Sequence, residues 1–244
     1  MKKIVTAAFI IIGDEILSGR TKDENLNFLA CALGENGVSL KEARVVPDIE
    51  QEIIDAVNAA RKKYDYIFTS GGVGTTHDDI TIEAIAKAFG DNLVKNEEAA
   101  NLLASYYGSR LTEIHMKMAY LPSRAKLIEN DILSPSGFVV ENVFVLAGVP
   151  RIFRAMFEGV KKEIIGGAKI KSREIKISLP ESSIAKVFAD LQKKYPQVIM
   201  GSYPSETGAS LVFRSAEYEF IDIALEEMVK ILQEIDPKSI VATS

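Results

Sequence analysis

The stretch that decides the fold is Thr69-Ser70-Gly71-Gly72-Val73-Gly74-Thr75-Thr76-His77-Asp78-Asp79-Ile80-Thr81. It follows an apolar run over residues 66–68, which predicts a buried strand, and precedes residues 82–89, which have a helical pattern. Glycines in the connecting turn let the backbone adopt positive φ and let a ligand approach the main chain closely. The helix start offers unpaired N–H groups and a partial positive charge. The stretch therefore predicts a turn that can bind an anion.

Two acids at the end of this turn restrict its chemistry. Asp78 and Asp79 would repel a bare phosphate, so a divalent cation between carboxylates and phosphates reconciles them with the glycines. The turn does not spell the dinucleotide motif G-x-G-x-x-G, because His77 stands at its last position, and the Lys-Ser/Thr pair of a P-loop is missing. The alternative is a tight strand-to-helix turn in which Asp78 or Asp79 caps the helix.

The composition is typical of a soluble globular protein, with 47% apolar and 26% charged residues. The 244 residues have room for one large domain, or for one medium and one small domain. A net charge of −5 argues against nucleic-acid binding through phosphate contacts. Cys31 is the only cysteine, so it cannot form an internal disulfide, and its position on a predicted helix indicates burial. We therefore expect a cytoplasmic protein.

The first residues imitate a signal peptide, because Met1-Lys2-Lys3 precedes an apolar run over residues 4–12. Gly13-Asp14-Glu15 follows the run, where a signal peptide would have a small-residue cleavage site. A buried first strand explains the run better. No run reaches the ~18 apolar residues of a transmembrane helix, so we expect no membrane association.

Strand and helix patterns alternate from this first strand to the glycine turn. Residues 21–33 have a capping-box spacing and the apolar stripe of a helix, and residues 38–46 predict a second strand. A further helix begins near Asp48, and the third strand leads into the glycine turn. Short apolar strands that alternate with helices predict an α/β fold with a mostly parallel sheet and helices on both faces.

In such a sheet the residues that follow each strand meet at one edge. The sequence therefore places a set of carboxylates suited to a metal ion along one rim: Asp14, Glu15, Asp48, Asp78 and Asp79. The alternative is that each acid only caps its own helix.

The rest of the chain completes this domain and predicts a second one. The first domain is predicted to continue with helices over residues 96–107 and 111–119, and with loops over 122–132 and 134–137 around a short strand at 126–128. It then has a hairpin or two short strands at 138–146 and a helix from 151 to about 165. Gly166-Gly167 marks the boundary, which gives a domain of residues 1–167 and a domain of residues 168–244. The second predicts a small α+β domain: strand 174–179, helix 182–195, strands 198–202 and 210–213, and helix 219–234.

Several motifs together resemble the molybdopterin-binding (MoaB/MogA-like) domain family, and most of all the amino-terminal part of CinA-type competence/damage-inducible proteins. These motifs are Gly13-Asp14-Glu15-Ile16-Leu17-Ser18-Gly19, Asp23-Glu24-Asn25, Val46-Pro47-Asp48, the stretch from Ser70 to Thr81, and Gly148-Val149-Pro150. Departures are Thr75 and Ala147, where the CinA pattern has proline, and Glu24, where it often has threonine. Full-length CinA proteins carry a further amidohydrolase domain, which is not expected here because this chain ends before it.

The resemblance implies a three-layer α/β domain that acts as a metal-dependent pyrophosphatase on ADP-ribose-like nucleotides. Asp48, Asp78 and Asp79 would be catalytic, with Asp48 and Asp79 binding Mg²⁺, Mn²⁺ or Co²⁺. His77 would protonate a leaving group, or have a structural or ligand-stacking role, and His115 would be incidental. The substrate-binding residues would be Gly13, Asp14, Glu15, Asn25, Ser70, Gly71, Gly72, Val73, Gly74, Thr76, His77, Gly148 and Pro150.

Two alternatives stay open at this point. The chain would transfer an adenylyl group to molybdopterin, which would then be its ligand, or it would bind a nucleotide without turnover. In each case the partner is a nucleotide or pterin small molecule and not a nucleic acid. Because family members commonly self-associate, a homo-oligomer is expected.

Overall fold

A computed structural model describes residues 4–128 and 137–243. Parts of the loops predicted over residues 122–132 and 134–137 lie outside the described residues. The chain divides into two compact units between Gly167 and Ala168. Each unit has a hydrophobic core of its own.

The first unit contains the strands β1 (Val5–Ile12), β2 (Val38–Val46), β3 (Tyr66–Ser70), β4 (Leu93–Lys95), β5 (Tyr120–Pro122), β6 (Lys126–Leu127), β7 (Phe138–Val140) and β8 (Val143–Leu146). Its central sheet has the order β2-β1-β3-β8-β7-β6, and β4 pairs with β5 in a separate small sheet. The strands β2, β1, β3 and β8 run parallel, whereas β7 and β6 are antiparallel to their neighbours. The predicted mostly parallel sheet is confirmed.

The helices of the first unit are α1 (Asp14–Leu17), α2 (Asn25–Glu35), α3 (Glu50–Arg61), α4 (Thr81–Ala88), α5 (Glu97–Tyr107), α6 (Glu113–Met116) and α7 (Pro150–Val160). Helix α2 packs with α7, and α3 packs with α4. Because crossovers between parallel strands are right-handed, these pairs lie on opposite faces of the sheet. The predicted three-layer α/β fold is confirmed.

A cluster of phenylalanines joins α2 and α7 to the sheet. The ring centroids of Phe28 and Phe157 lie 5.7 Å apart, and Phe153 lies 5.7 Å from Phe9 of β1. Phe157 also lies 5.9 Å from Phe68 of β3. Burial of an aromatic side chain of this size contributes about 1.5–3 kcal/mol, so the cluster fixes both helices against the middle of β1 and β3.

Some local expectations were wrong. Cys31 is exposed, because it lies on the outer side of α2 and not on the side that buries Leu29 and Leu33. The capping box predicted from Thr21 does not form; α2 begins at Asn25, and Asp23 Oδ1 accepts a hydrogen bond from Leu26 N at 2.8 Å. The helix predicted over residues 111–119 is shorter, since only α6 and a 3-10 turn over residues 117–119 form.

The second unit contains β9 (Lys171–Ile177), α8 (Glu181–Lys194), β10 (Ile199–Ser205), β11 (Gly208–Ser215), α9 (Tyr218–Ile235) and β12 (Ile240–Thr243). Its antiparallel sheet has the order β10-β11-β9-β12. Both helices contribute buried side chains to one core with the sheet, for example Ile184 from α8 and Met228 from α9. The predicted small α+β domain is confirmed. No helix in the described ranges is long and apolar enough to cross a membrane.

Candidate functional site

The loops that follow β1, β2, β3 and β8 meet at one edge of the central sheet. The strand register pairs Ile12 with Val46 and Ser70 with Leu146, so the four strands end at the same level. The carboxyl edge of a parallel sheet is where open α/β folds bind their ligands. The edge predicted to carry the site is therefore formed by these loops.

Glycine is required where these loops touch. Gly71 has φ 103° and Gly72 has φ 63°, conformations that other residues rarely adopt. A Cβ atom on Gly71 would lie 2.1 Å from the carbonyl oxygen of Ile12. A Cβ atom on Gly148 would lie 3.2 Å from Cα of Gly71. The absence of side chains therefore lets the ends of β1, β3 and β8 approach one another closely.

Two buried polar side chains hold this arrangement. The Thr81 hydroxyl donates to the carbonyl of Gly71 at 2.9 Å, and Thr81 N donates to the carbonyl of Gly72 at 3.0 Å. Asn25 is 3% exposed, and its Nδ2 donates to the carbonyl of Gly148 at 2.8 Å. Asn25 therefore positions the loop after β8 and does not itself line the cavity described next.

A cavity of about 450 Å³ lies at this edge. The predicted site residues that line it are Glu15, Gly71, Gly72, Val73, Gly74, Asp79, Gly148 and Pro150. Residues that were not predicted complete the lining: Thr21, Thr75, Tyr107, Met118, Ala147, Val149 and Ile152. Most of these side chains are not of a type that marks a functional motif, although the adjacent aromatic residues Tyr106-Tyr107 could have been noticed in the sequence. The volume falls in the range of small-molecule sites.

The backbone of the glycine turn offers unused donors to this cavity. Among the described residues, the N–H groups of Gly72, Val73 and Gly74 have no hydrogen-bond acceptor, whereas Gly71 N donates to Leu146 O at 3.3 Å. Backbone N–H groups are rarely left without an acceptor except where water or a ligand satisfies them. Consecutive free N–H groups beside a helix start favour an anion such as a phosphate.

The Asp48 carboxyl lies among other acids. Its Oδ2 accepts a hydrogen bond from Asp14 N at 2.9 Å. Burial is the largest cause that raises the pKa of Asp48 above its ordinary value. The neighbouring negative charges, those of Glu15, Asp14 and Asp78, raise this pKa further. A cation near Asp48 would relieve this repulsion.

Neither Asp48 nor Asp79 caps its helix. The positions before α3 and α4 are Ile49 and Ile80, and in the described part of the chain no side chain forms a capping hydrogen bond with either helix. Asp79 Oδ2 instead accepts hydrogen bonds from the N–H and the hydroxyl of Thr76, at 2.7 and 2.5 Å. The simple explanation that these acids are helix caps is therefore wrong.

His77 and Asp78 extend from the turn into solvent. The His77 side chain is 97% exposed, and its Nδ1 lies 3.9 Å from Oδ1 of Asp78, whose side chain is 59% exposed. The nearby Thr76 hydroxyl, followed by the backbone N–H of Asp78 itself, lowers the pKa of Asp78. His77, Thr76 and Asp79 line a smaller adjoining cavity of about 130 Å³.

Other predicted residues lie beside the cavity or beneath it. Gly13 and Ser70 are buried at the ends of their strands, and Asp14, Asp48 and Asp78 lie on the rim outside the described cavity lining. In residues 4–128 and 137–243, no group of three or more Asp, Glu, His or Cys side chains has the spacing of a metal site. A cation at this rim would thus bind at most one or two protein carboxylates and would need further ligands, such as water molecules or substrate phosphates.

His115 has a structural role that the sequence did not reveal. Its Nδ1 accepts a hydrogen bond from Thr112 N at 3.1 Å, which fixes the start of α6. Its ring stacks on Tyr107, with centroids 3.8 Å apart and an angle of 20° between the planes. His115 therefore fixes a wall of the cavity.

Fold and site together define an α/β domain with a cavity of small-molecule size beside a glycine-rich turn at the carboxyl edge of its sheet. Residues 8–166 match the family described as the probable molybdopterin binding domain, and residues 169–242 match the middle domain of FAD synthase. The chain belongs to the molybdopterin-binding domain family, which confirms the resemblance that its motifs indicate.

Three relatives show the extent of this likeness. A protein of Pyrobaculum calidifontis is 34% identical over 93% of this chain and 96% of its own length. A putative competence-damage inducible protein of Clostridium beijerinckii is 31% identical over 94% of this chain, which spans 58% of that protein. The crystal structure of CinA from Thermoplasma acidophilum, a protein of unknown function, has a TM-score of 0.62 and 35% identity over 66% of this chain and 99% of its own.

Proposed function

We propose that the first unit hydrolyses the phosphoanhydride bond of an ADP-ribose-like nucleotide with the help of a divalent cation. The observation that carries this proposal is the set of unpaired N–H groups at Gly72, Val73 and Gly74, in a cavity that Glu15 and Asp79 also line. Donors of this kind stabilise negative charge on phosphoryl oxygens. Acids beside an anion site are hard to explain without a cation.

The carboxylates fit such a cation. Carboxylate oxygens suit Mg²⁺, Mn²⁺ and Co²⁺, and Mg²⁺ commonly binds one or two carboxylates together with waters and substrate phosphates. Asp48 and Asp79 would therefore suffice as protein ligands. When bound, the cation would polarise a phosphoryl oxygen and lower the pKa of a water molecule.

The residues of the chain have separate tasks in this proposal. Both hydrogen bonds from Thr76 reach Oδ2 of Asp79, which leaves Oδ1 available to a cation. Burial, followed by the neighbouring negative charges, raises the pKa of Asp48, so its carboxylate would gain from a nearby positive charge. Asp14 N orients Asp48 through its hydrogen bond to Oδ2. The glycine turn would bind the phosphates through the unpaired N–H groups of Gly72, Val73 and Gly74.

The proposal is tested by incubating the purified chain with ADP-ribose and Mg²⁺, Mn²⁺ or Co²⁺, and measuring released AMP. Asp79→Asn and Asp48→Asn should each lower kcat/KM ~100-fold or more, since each removes a charged ligand in the site. Glu52→Gln, at an exposed position of α3, is the matched control and should have wild-type activity. Unchanged turnover in Asp79→Asn would exclude the proposed metal role.

A second candidate is adenylyl transfer to molybdopterin, which the match of residues 8–166 to the probable molybdopterin binding domain supports. It requires an adenylylated product from ATP and molybdopterin, whereas a chain that only hydrolyses contradicts it. Tight nucleotide binding without turnover under any metal would favour a binding module instead. The homo-oligomeric state and the cytoplasmic location stay predictions.

A further inference from the structure

We propose that Tyr107 forms a ring-binding subsite in the main cavity, against which the planar heteroaromatic ring of a nucleotide packs. The inference rests on the proposed function, because the phosphates of the same ligand would meet the N–H groups of Gly72, Val73 and Gly74. The ligand class is a fused heteroaromatic ring, such as a purine, that is joined through a sugar or short linker to a diphosphate.

The cavity has an apolar part as well as a polar part. Tyr107, at the end of α5, lines it together with Met118 and Ile152. Among the described residues, Tyr107 is the only one that brings an aromatic ring to this lining. Apolar walls of this kind bind the hydrophobic part of a ligand, and a few polar groups fix its orientation.

The Tyr107 ring is held in position without a ligand. His115 stacks on it at 3.8 Å, and Thr112 in turn fixes His115 through a hydrogen bond to Nδ1 at 3.1 Å. Tyr106 meets the ring at a steep angle of 85°, with centroids 4.8 Å apart. A ring that is already ordered loses little conformational entropy when a ligand binds. This support distinguishes Tyr107 from a tyrosine that merely happens to lie on a surface.

The test is equilibrium binding with the divalent cation present, measured within a time over which no AMP is released, so that the site keeps its cation and no hydrolysis occurs. The probes are ADP-ribose, which has a ring, and inorganic pyrophosphate, which has only the phosphates. Tyr107→Leu should weaken ADP-ribose binding by about 5-fold to 100-fold, the range of base–aromatic packing, and leave pyrophosphate binding unchanged. Tyr107→Phe keeps the ring and should restore ADP-ribose affinity.

A matched control is Tyr120→Leu, which removes an exposed tyrosine outside the cavity lining and should change neither affinity. Circular dichroism of each variant shows whether α5 is retained. An equal loss of both probes in Tyr107→Leu, or no loss at all, overturns the ring subsite. If ADP-ribose binding depends on the Tyr107 ring but no metal supports hydrolysis of ADP-ribose, the proposed hydrolysis is wrong. The ring subsite is then retained.

Discussion

At the scale of single residues, the site depends on the absence of side chains at Gly71. We expect Gly71→Ala to lower the free energy of unfolding by about 2 kcal/mol or more, because alanine is strained at positive φ and its Cβ would lie 2.1 Å from Ile12 O. Urea unfolding followed by circular dichroism measures this change. The control is Gly34→Ala in α2, where a Cβ meets no atom within 4 Å. That helical substitution should stabilise by about 0.5–1 kcal/mol, and an equal effect of both variants would contradict the proposed close approach.

For single residues, the sequence predicts which side chains have functional chemistry better than it predicts which side chains contact one another. The glycines and acids of the turn were identified because such residue types, close together between a strand and a helix, are typical of a specialised turn. Cys31 was placed wrongly, since one helical turn decides between the buried and the exposed side of α2. Tyr107 was overlooked and His115 was expected to be incidental, because their importance comes from stacking, and a contact between two helices leaves no signature in either segment.

At the scale of elements, the Asp91 carboxylate joins the start of β4 to the end of β5. Its pKa is lowered to about 2, chiefly by the Ser123 hydroxyl, which donates to Oδ1 at 2.6 Å, and also by Arg124 N at 3.1 Å. Because the folded state favours the ionised form, this stabilisation is present above about pH 4 and is lost as the pH falls toward 2. Asp91→Asn should therefore lower stability at pH 7 and weaken its decline between about pH 4 and pH 2. Urea midpoints across this range measure both effects, with Glu52→Gln as the control, and parallel curves for wild type and Asp91→Asn would refute the prediction.

Long helices and strands were predicted from the sequence more successfully than short ones. The long apolar strand β1 and amphipathic helices such as α3 follow from the pattern of apolar residues alone. The strands β4 and β5 span only residues 93–95 and 120–122, which is too short for an alternating pattern to stand out. The strand β12 was also missed, because its exposed residues gain their order from pairing with β9.

At the scale of the whole molecule, the chain divides into units whose cores share no residue. One core extends from Ala7 to Ile164, and the other from Ile175 to Leu232. The sequence indicated this division through Gly166-Gly167. Which residues contact one another within each unit is known only from the folded chain. A fragment of fewer than ~80 residues buries a smaller fraction of its surface and is only marginally stable.

We therefore expect residues 1–167 and residues 168–244 to fold as separate fragments, the second with the lower midpoint of thermal unfolding. Each should show cooperative unfolding by circular dichroism, because each keeps a complete core. The control is a fragment of residues 1–155, which lacks the buried side chains of Met156, Phe157 and Val160. It loses about 1.5–3 kcal/mol for each of these side chains and should not fold. If residues 168–244 unfold without cooperativity while the whole chain unfolds in one transition, the two cores depend on each other and the division into separate folding units is wrong.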